Sequence, residues 1–188
     1  MNQYSFNTQK YLQCFDAILS NMIYDMNHAT LLSSLSMTFI NQMIPHHYAA
    51  IQMSKNLLFY TTNIPLQTIA QNIINAQTKS IQDMMNIYNC CGCENNQSDI
   101  SAYLGAYEKI SSTMFTSMQN ADSSNNINLS FINEMIPHHY GAIEMSKNLL
   151  QYPICKELYP ILNTIITLQE QGINQMKQLQ NQIHSTNN

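Results

Sequence analysis

The chain has 188 residues, a formal charge of -4 and no arginine; it is long enough to bury a core as one compact domain or two small ones. Without guanidinium groups or a basic patch among its seven lysines, a nucleic-acid or phosphate-binding surface is disfavoured. Asn and Gln abound, yet 45% of residues are hydrophobic and recur at helical spacing, which rejects a disordered or prion-like reading.

Residues 4–30 carry Tyr11, Phe15, Ile18, Met22 and Met26 at three- and four-residue steps, the pattern of one helix face. Methionines in such a stripe pack irregular cores well and need no ligand to justify them. Ser33, Ser34 and Ser36 mark a break. A second helix is expected over about 36–59. At 100° per residue, Phe39, Met43, His46, His47, Ala50, Met53 and Leu57 fall on one face. Pro45 lies inside this pattern and predicts a kink before the histidines; the alternative is a helix that starts at Pro45.

Residues 59–65 read as a loop, and a third helix is expected over about 65–89. Ile69, Ile73 or Ile74, Gln77, Ile81, Met84 and Tyr88 mark its inner face. Gln77 is placed there as a buried amide that fixes a histidine tautomer. The stretch 89–98 is a linker holding Cys90, Cys91 and Cys93.

The pattern then restarts. Tyr103, Leu104, Tyr107, Ile110, Met114 and Met118 correspond to Tyr11, Leu12, Phe15, Ile18, Met22 and Met26 at an offset of 92. Residues 131–150, FINEMIPHHYGAIEMSKNLL, repeat residues 39–58, FINQMIPHHYAAIQMSKNLL, with only Gln42/Glu134, Ala49/Gly141 and Gln52/Glu144 differing. Ile161, Ile165, Ile166, Gln169, Ile173 and Met176 repeat Ile69, Ile73, Ile74, Gln77, Ile81 and Met84. The chain is therefore a duplicated three-helix unit, 4–89 and 96–181. Short loops between the signature and third helices imply two antiparallel hairpins. The expected architecture is all-α: a four-helix bundle in one domain spanning 1–188, with the signature helices facing each other across a pseudo-twofold axis. The first helix of each unit packs outside it.

Paired imidazoles and thioethers select soft metals, Cu(I) above all, and disfavour zinc. One expected site is Met43, His46, His47 and Met53, joined by Met22, Met26 or Met84; the other is Met135, His138, His139 and Met145, joined by Met114, Met118 or Met176. A diiron carboxylate centre is disfavoured, because Glu134 and Glu144 face Gln42 and Gln52 in the other copy and a helical wheel puts both near the edge of the inner face or beyond. No Ser/His/Asp spacing or phosphate loop supports an enzyme. The competing readings are a helical scaffold or interaction module whose histidines complete internal hydrogen bonds, and a metal-dependent redox enzyme. Cys90, Cys91 and Cys93 form a compact cluster that either ligates Cu(I) or is an oxidisable loop. Cys14 and Cys155 lack repeat-equivalent cysteines and are expected to be packing residues; the spacing suggests no disulfide framework.

MIPHHYAAIQM and MIPHHYGAIEM resemble the Met-Ile-x-His-His-x-x-Ala-x-x-Met signature of the domain-of-unknown-function family 305. The blocks from Gln77 to Met84 and from Gln169 to Met176 are similar to its second block. The resemblance covers roughly 36–88 and 128–180. It implies a ferritin-like helical bundle of bacterial type with a copper association, in members often found outside the cytoplasm. Where the family has an Asp before the Phe, this chain has Ser36 and Asn128; where it has a Glu after the Gln, this chain has Ser80 and Gly172; the usual Trp is absent.

The N-terminus lacks a basic segment followed by an apolar core, and no apolar run approaches the length of a membrane span. The expected location is cytoplasmic, with an extracytoplasmic one open to a processed form. The expected partner is a metal ion, and self-association into a homo-oligomer is left open.

Overall fold

A computed structural model describes residues 4–92 and 95–186. Six α-helices follow one another: α1 Phe6–Asn27, α2 Leu35–Leu58, α3 Ile64–Ile87, α4 Ile100–Gln119, α5 Ile127–Leu149 and α6 Leu158–Thr186. A 3-10 turn, Tyr88–Gly92, follows α3. The helices form two similar three-helix lobes, α1–α3 and α4–α6. Within each lobe the middle helix is packed on both sides, α2 by α1 and α3, α5 by α4 and α6. The lobes meet where α2 packs on α5 and α3 on α6. Among the described residues, no helix is long and apolar enough to cross a membrane.

Local chemistry sets the helix starts. Ser5, Ser34, Asn63 and Asn126 cap α1, α2, α3 and α5 with side-chain oxygens that accept first-turn amides, satisfying donors that have no intrahelical partner. The helix does not begin at Pro45: α2 runs through it from Leu35, as α5 runs through Pro137. Tertiary packing on both flanks holds these prolines where propensity alone disfavours them.

The duplication extends to single hydrogen bonds. Asn56 donates to the Tyr11 carbonyl at 3.1 Å, and Asn148 donates to the Tyr103 carbonyl at 3.2 Å. Tyr60 sits edge-on to Tyr11, and Tyr152 edge-on to Tyr103. Each first-helix tyrosine also reaches the other lobe. The Tyr103 hydroxyl donates to Gln42 Oε1 at 2.7 Å, and the Tyr11 hydroxyl donates to Glu134 Oε2 at 2.5 Å. Glu134 is thus buried, not at the edge of the inner face; Tyr11 covers the edge that a wheel of α5 alone leaves open. Glu144 is exposed and pairs with Lys147.

One end of the molecule breaks the symmetry. Cys91 and Cys155 form a disulfide that joins the 3-10 turn to the α5–α6 connection. Polar bonds surround it: Asn96 accepts from the Leu35 amide and donates to the Pro153 carbonyl, and Ser36 Oγ accepts from the Cys155 amide. This corrects two sequence expectations. Cys155 is a bonded half-cystine rather than a packing residue, and Cys14 is exposed rather than packed. It also breaks up the expected cysteine cluster. Cys91 is buried in the disulfide, Cys90 is exposed and free, and Cys93 lies outside the described residues.

Candidate functional site

The four motif histidines sit where α2 and α5 cross. His46, His47, His138 and His139 are all at most 2% exposed. The rings of His46 and His138 stack with centroids 3.7 Å apart. Nε2 of His46 donates to the His138 carbonyl at 3.2 Å, and Nε2 of His138 donates to the His46 carbonyl at 3.1 Å. A carbonyl only accepts, so both rings carry their proton on Nε2 and leave Nδ1 as a bare lone pair. Those two Nδ1 atoms are buried without a hydrogen-bond partner, as is Nδ1 of His47; His139 differs in that its ring shares a backbone hydrogen bond with Met135.

Burial controls the charge of all four rings. Desolvation pushes His47 down to about 3 and His138 down to about 4. It holds His46 and His139 well below the usual imidazole range, with neighbouring imidazoles adding to the effect. The rings are neutral at physiological pH, which is the form that ligates metals.

The outer pair differs between the lobes. Nε2 of His47 lies 3.0 Å from Ser80 Oγ on α3. The equivalent position on α6 is Gly172, and a Cβ built there would lie 2.8 Å from Nε2 of His139. Gly172 makes room for that ring, and Ser80 holds its counterpart. Gln77, expected to fix a histidine tautomer, makes no such bond: both its amide atoms are buried and unpartnered. Ser80, three residues along the same face of α3, engages His47 instead.

The methionines lie in the same core. Met43, Met53, Met135 and Met145 are buried, and so are Met22, Met26, Met84, Met114, Met118 and Met176. The structure brings His46 and His138 together across the lobes and sets His47 and His139 on either side, with ring centroids 5.8 and 6.0 Å from their neighbours. Among the described residues, no group of three or more His, Cys, Asp or Glu side chains is arranged to hold a metal ion. The sequence reading missed Ser80 and Gly172 as direct neighbours of the imidazoles; both stand three residues after a repeat glutamine, which is the signal that finds them.

Fold and site together define a duplicated helical protein with neutral paired imidazoles in a thioether-rich core. The family model described as "Domain of unknown function (DUF305)" matches residues 36–180, and the chain belongs to that family. Among solved structures it is similar to "CopM in the Ag-bound form (by soaking)", at 28% identity and a TM-score of 0.58, covering 79% of this chain and 96% of that one. It is also similar to a DUF305 fragment from Deinococcus radiodurans, at 18% identity and a TM-score of 0.57, covering 82% and 98%. No curated protein matches. The Cys91–Cys155 disulfide overturns the cytoplasmic expectation and favours the extracytoplasmic alternative, since such bonds persist in oxidising compartments.

Proposed function

We propose that the protein is a non-enzymatic helical scaffold that buffers soft metal ions, with Cu(I) as its cargo. The observation that carries this reading is the pair of buried, unpartnered Nδ1 atoms on the stacked neutral imidazoles of His46 and His138, within a methionine-rich core. A bare buried lone pair is costly unless something accepts it, and a soft cation with thioether co-ligands suits this donor set. The residues present fit such a cargo: Met43, His46, His47 and Met53 from α2, and Met135, His138, His139 and Met145 from α5. CopM, 28% identical, is described in a silver-bound form, and Ag(I) shares the ligand preferences of Cu(I). In this reading α2, α3, α5 and α6 make a ferritin-like four-helix core within one domain of residues 1–188, built from repeat units 4–89 and 96–181.

One observation favours a second reading for the inner pair. His46 and His138 already bond reciprocally to each other's carbonyls, so they serve as internal polar links of a helical scaffold whether or not a metal binds. The two readings make different predictions for conservative thioether removal. Replacing Met43, Met53, Met135 and Met145 with leucine keeps volume, at a cost of less than about 1.5 kcal/mol per site, and removes the sulfurs. Under metal buffering, anaerobic Cu(I) titration against a competing chelator shows uptake by the native chain and at least about a tenfold weaker affinity in the quadruple variant. Identical affinity and stoichiometry in the two proteins would sink the proposed sites and leave the scaffold reading.

A further inference from the structure

Gln77 on α3 and Gln169 on α6 line the same two cavities between these helices, and their environment is unusual for buried amides. Both are nearly inaccessible, at 2% and 5% exposed. Gln77 has neither amide atom paired, and Gln169 Oε1 is unpaired. Two cavities flank the pair. The one of 180 Å³ ends on His139 beside Gly172, and the one of 390 Å³ ends on His47 beside Ser80. Each has exposed residues at its rim, among them Asn72 for the first and Asn75 for the second.

The two routes are not equivalent. On the His47 side, Ser80 already engages the ring nitrogen at 3.0 Å, and the rim carries the Lys79–Asp83 ion pair. On the His139 side no charged residue lines the cavity, and the position equivalent to Ser80 is Gly172, which has no hydroxyl to engage the ring. Gln77 and Gln169 line both cavities, and Asn72, Gln171 and Gln175 add further amides to this one, whose oxygens can replace part of a cation's hydration shell in passing.

We propose that the 180 Å³ cavity ending on His139 is the uptake port of the metal core, with the amide oxygens of Gln77 and Gln169 handing the cation inward to His139, while the His47 side stays latched by Ser80. The inference rests on the metal-buffering reading and names its path. An amide oxygen coordinates a cation transiently, and the imidazole and thioethers beyond bind it more strongly. That order is what a transit site needs.

The test is stopped-flow uptake of Ag(I), followed by near-ultraviolet absorbance, with final stoichiometry measured on the same samples. Asn72→Trp places a bulky side chain at the mouth of the His139 cavity from an exposed position, so the core is untouched. Asn75→Trp does the same on the His47 side and serves as its control. The port predicts that Asn72→Trp, and separately the double variant Gln77→Leu/Gln169→Leu, slow uptake by about tenfold or more. Asn75→Trp keeps the native rate, and all three variants reach the native stoichiometry. Equal rates for Asn72→Trp and Asn75→Trp overturn the port. So does a lowered stoichiometry in the glutamine double variant, which would make the amides resident ligands. A native chain that takes up no Ag(I) removes the metal reading itself, an outcome distinct from both.

Discussion

Stability falls steeply as the pH is lowered from 7 towards 4, by several kcal/mol. The cause is the buried imidazoles. An unfolded histidine takes up a proton near pH 6.5, whereas in the folded chain burial pushes His47 down to about 3 and His138 down to about 4. Between those values the unfolded chain binds protons that the folded chain refuses, so each step down in pH favours unfolding. The contribution is complete above about pH 6.5 and is lost as the pH falls through the folded values. For His47 the difference, 6.5 less 3, corresponds to roughly 5 kcal/mol at about 1.4 kcal/mol per pH unit. His46 and His139 act in the same direction.

Glu134 acts oppositely. Burial raises its carboxyl to about 8, so it removes stability as the pH rises from its unfolded value near 4.5 through that range. One carboxyl set against four imidazoles leaves the acid side dominated by histidine. Urea unfolding monitored by circular dichroism at several pH values between 7 and 4 measures the slope. Replacing His47 and His139 with asparagine should flatten it. A native stability independent of pH over this interval would show that the rings accept protons in place, and that the core is open to water.

Reducing the Cys91–Cys155 bond, or replacing Cys155 with serine, lowers stability by about 4 kcal/mol. The bond closes a loop with a sequence separation of 64, and the entropy it removes from the unfolded chain gives that order of magnitude. The effect is a cross-lobe one, since Cys91 belongs to the first repeat and Cys155 to the second. Denaturant unfolding in oxidising and reducing buffer reads it directly, with Cys155→Ser expected to be insensitive to reductant. Equal midpoints for the native protein in both buffers would mean that the knot of hydrogen bonds around Asn96 and Ser36 holds this end unaided.

Which features the sequence made legible follows from what repeats. The six helices and the two lobes were readable because apolar periodicity and the 92-residue offset reinforce each other from Tyr11/Tyr103 to Met84/Met176. The meeting of α2 and α5 followed from the near-identity of their motifs. The disulfide was not readable. Its partners have Ile183 and Asn63 at their repeat-equivalent positions, so the duplication that explains everything else hides it. Glu134 was misplaced because a wheel of one helix cannot show that Tyr11, from the other lobe, lies across it. Gln77 was correctly put inside, but its partner was not an imidazole. The hydroxyl of Ser80 sits one turn further along and is nearer the ring.

The metal core is tested most directly by X-ray absorption on the native protein loaded anaerobically with Cu(I). The account predicts a mixed first shell of imidazole nitrogen and thioether sulfur, with sulfur scattering lost in the Met43, Met53, Met135 and Met145 leucine variant and retained when Cys14, Cys90 and Cys93 are replaced by serine. A shell of nitrogen and oxygen alone, or sulfur scattering that disappears with the cysteines, would contradict it.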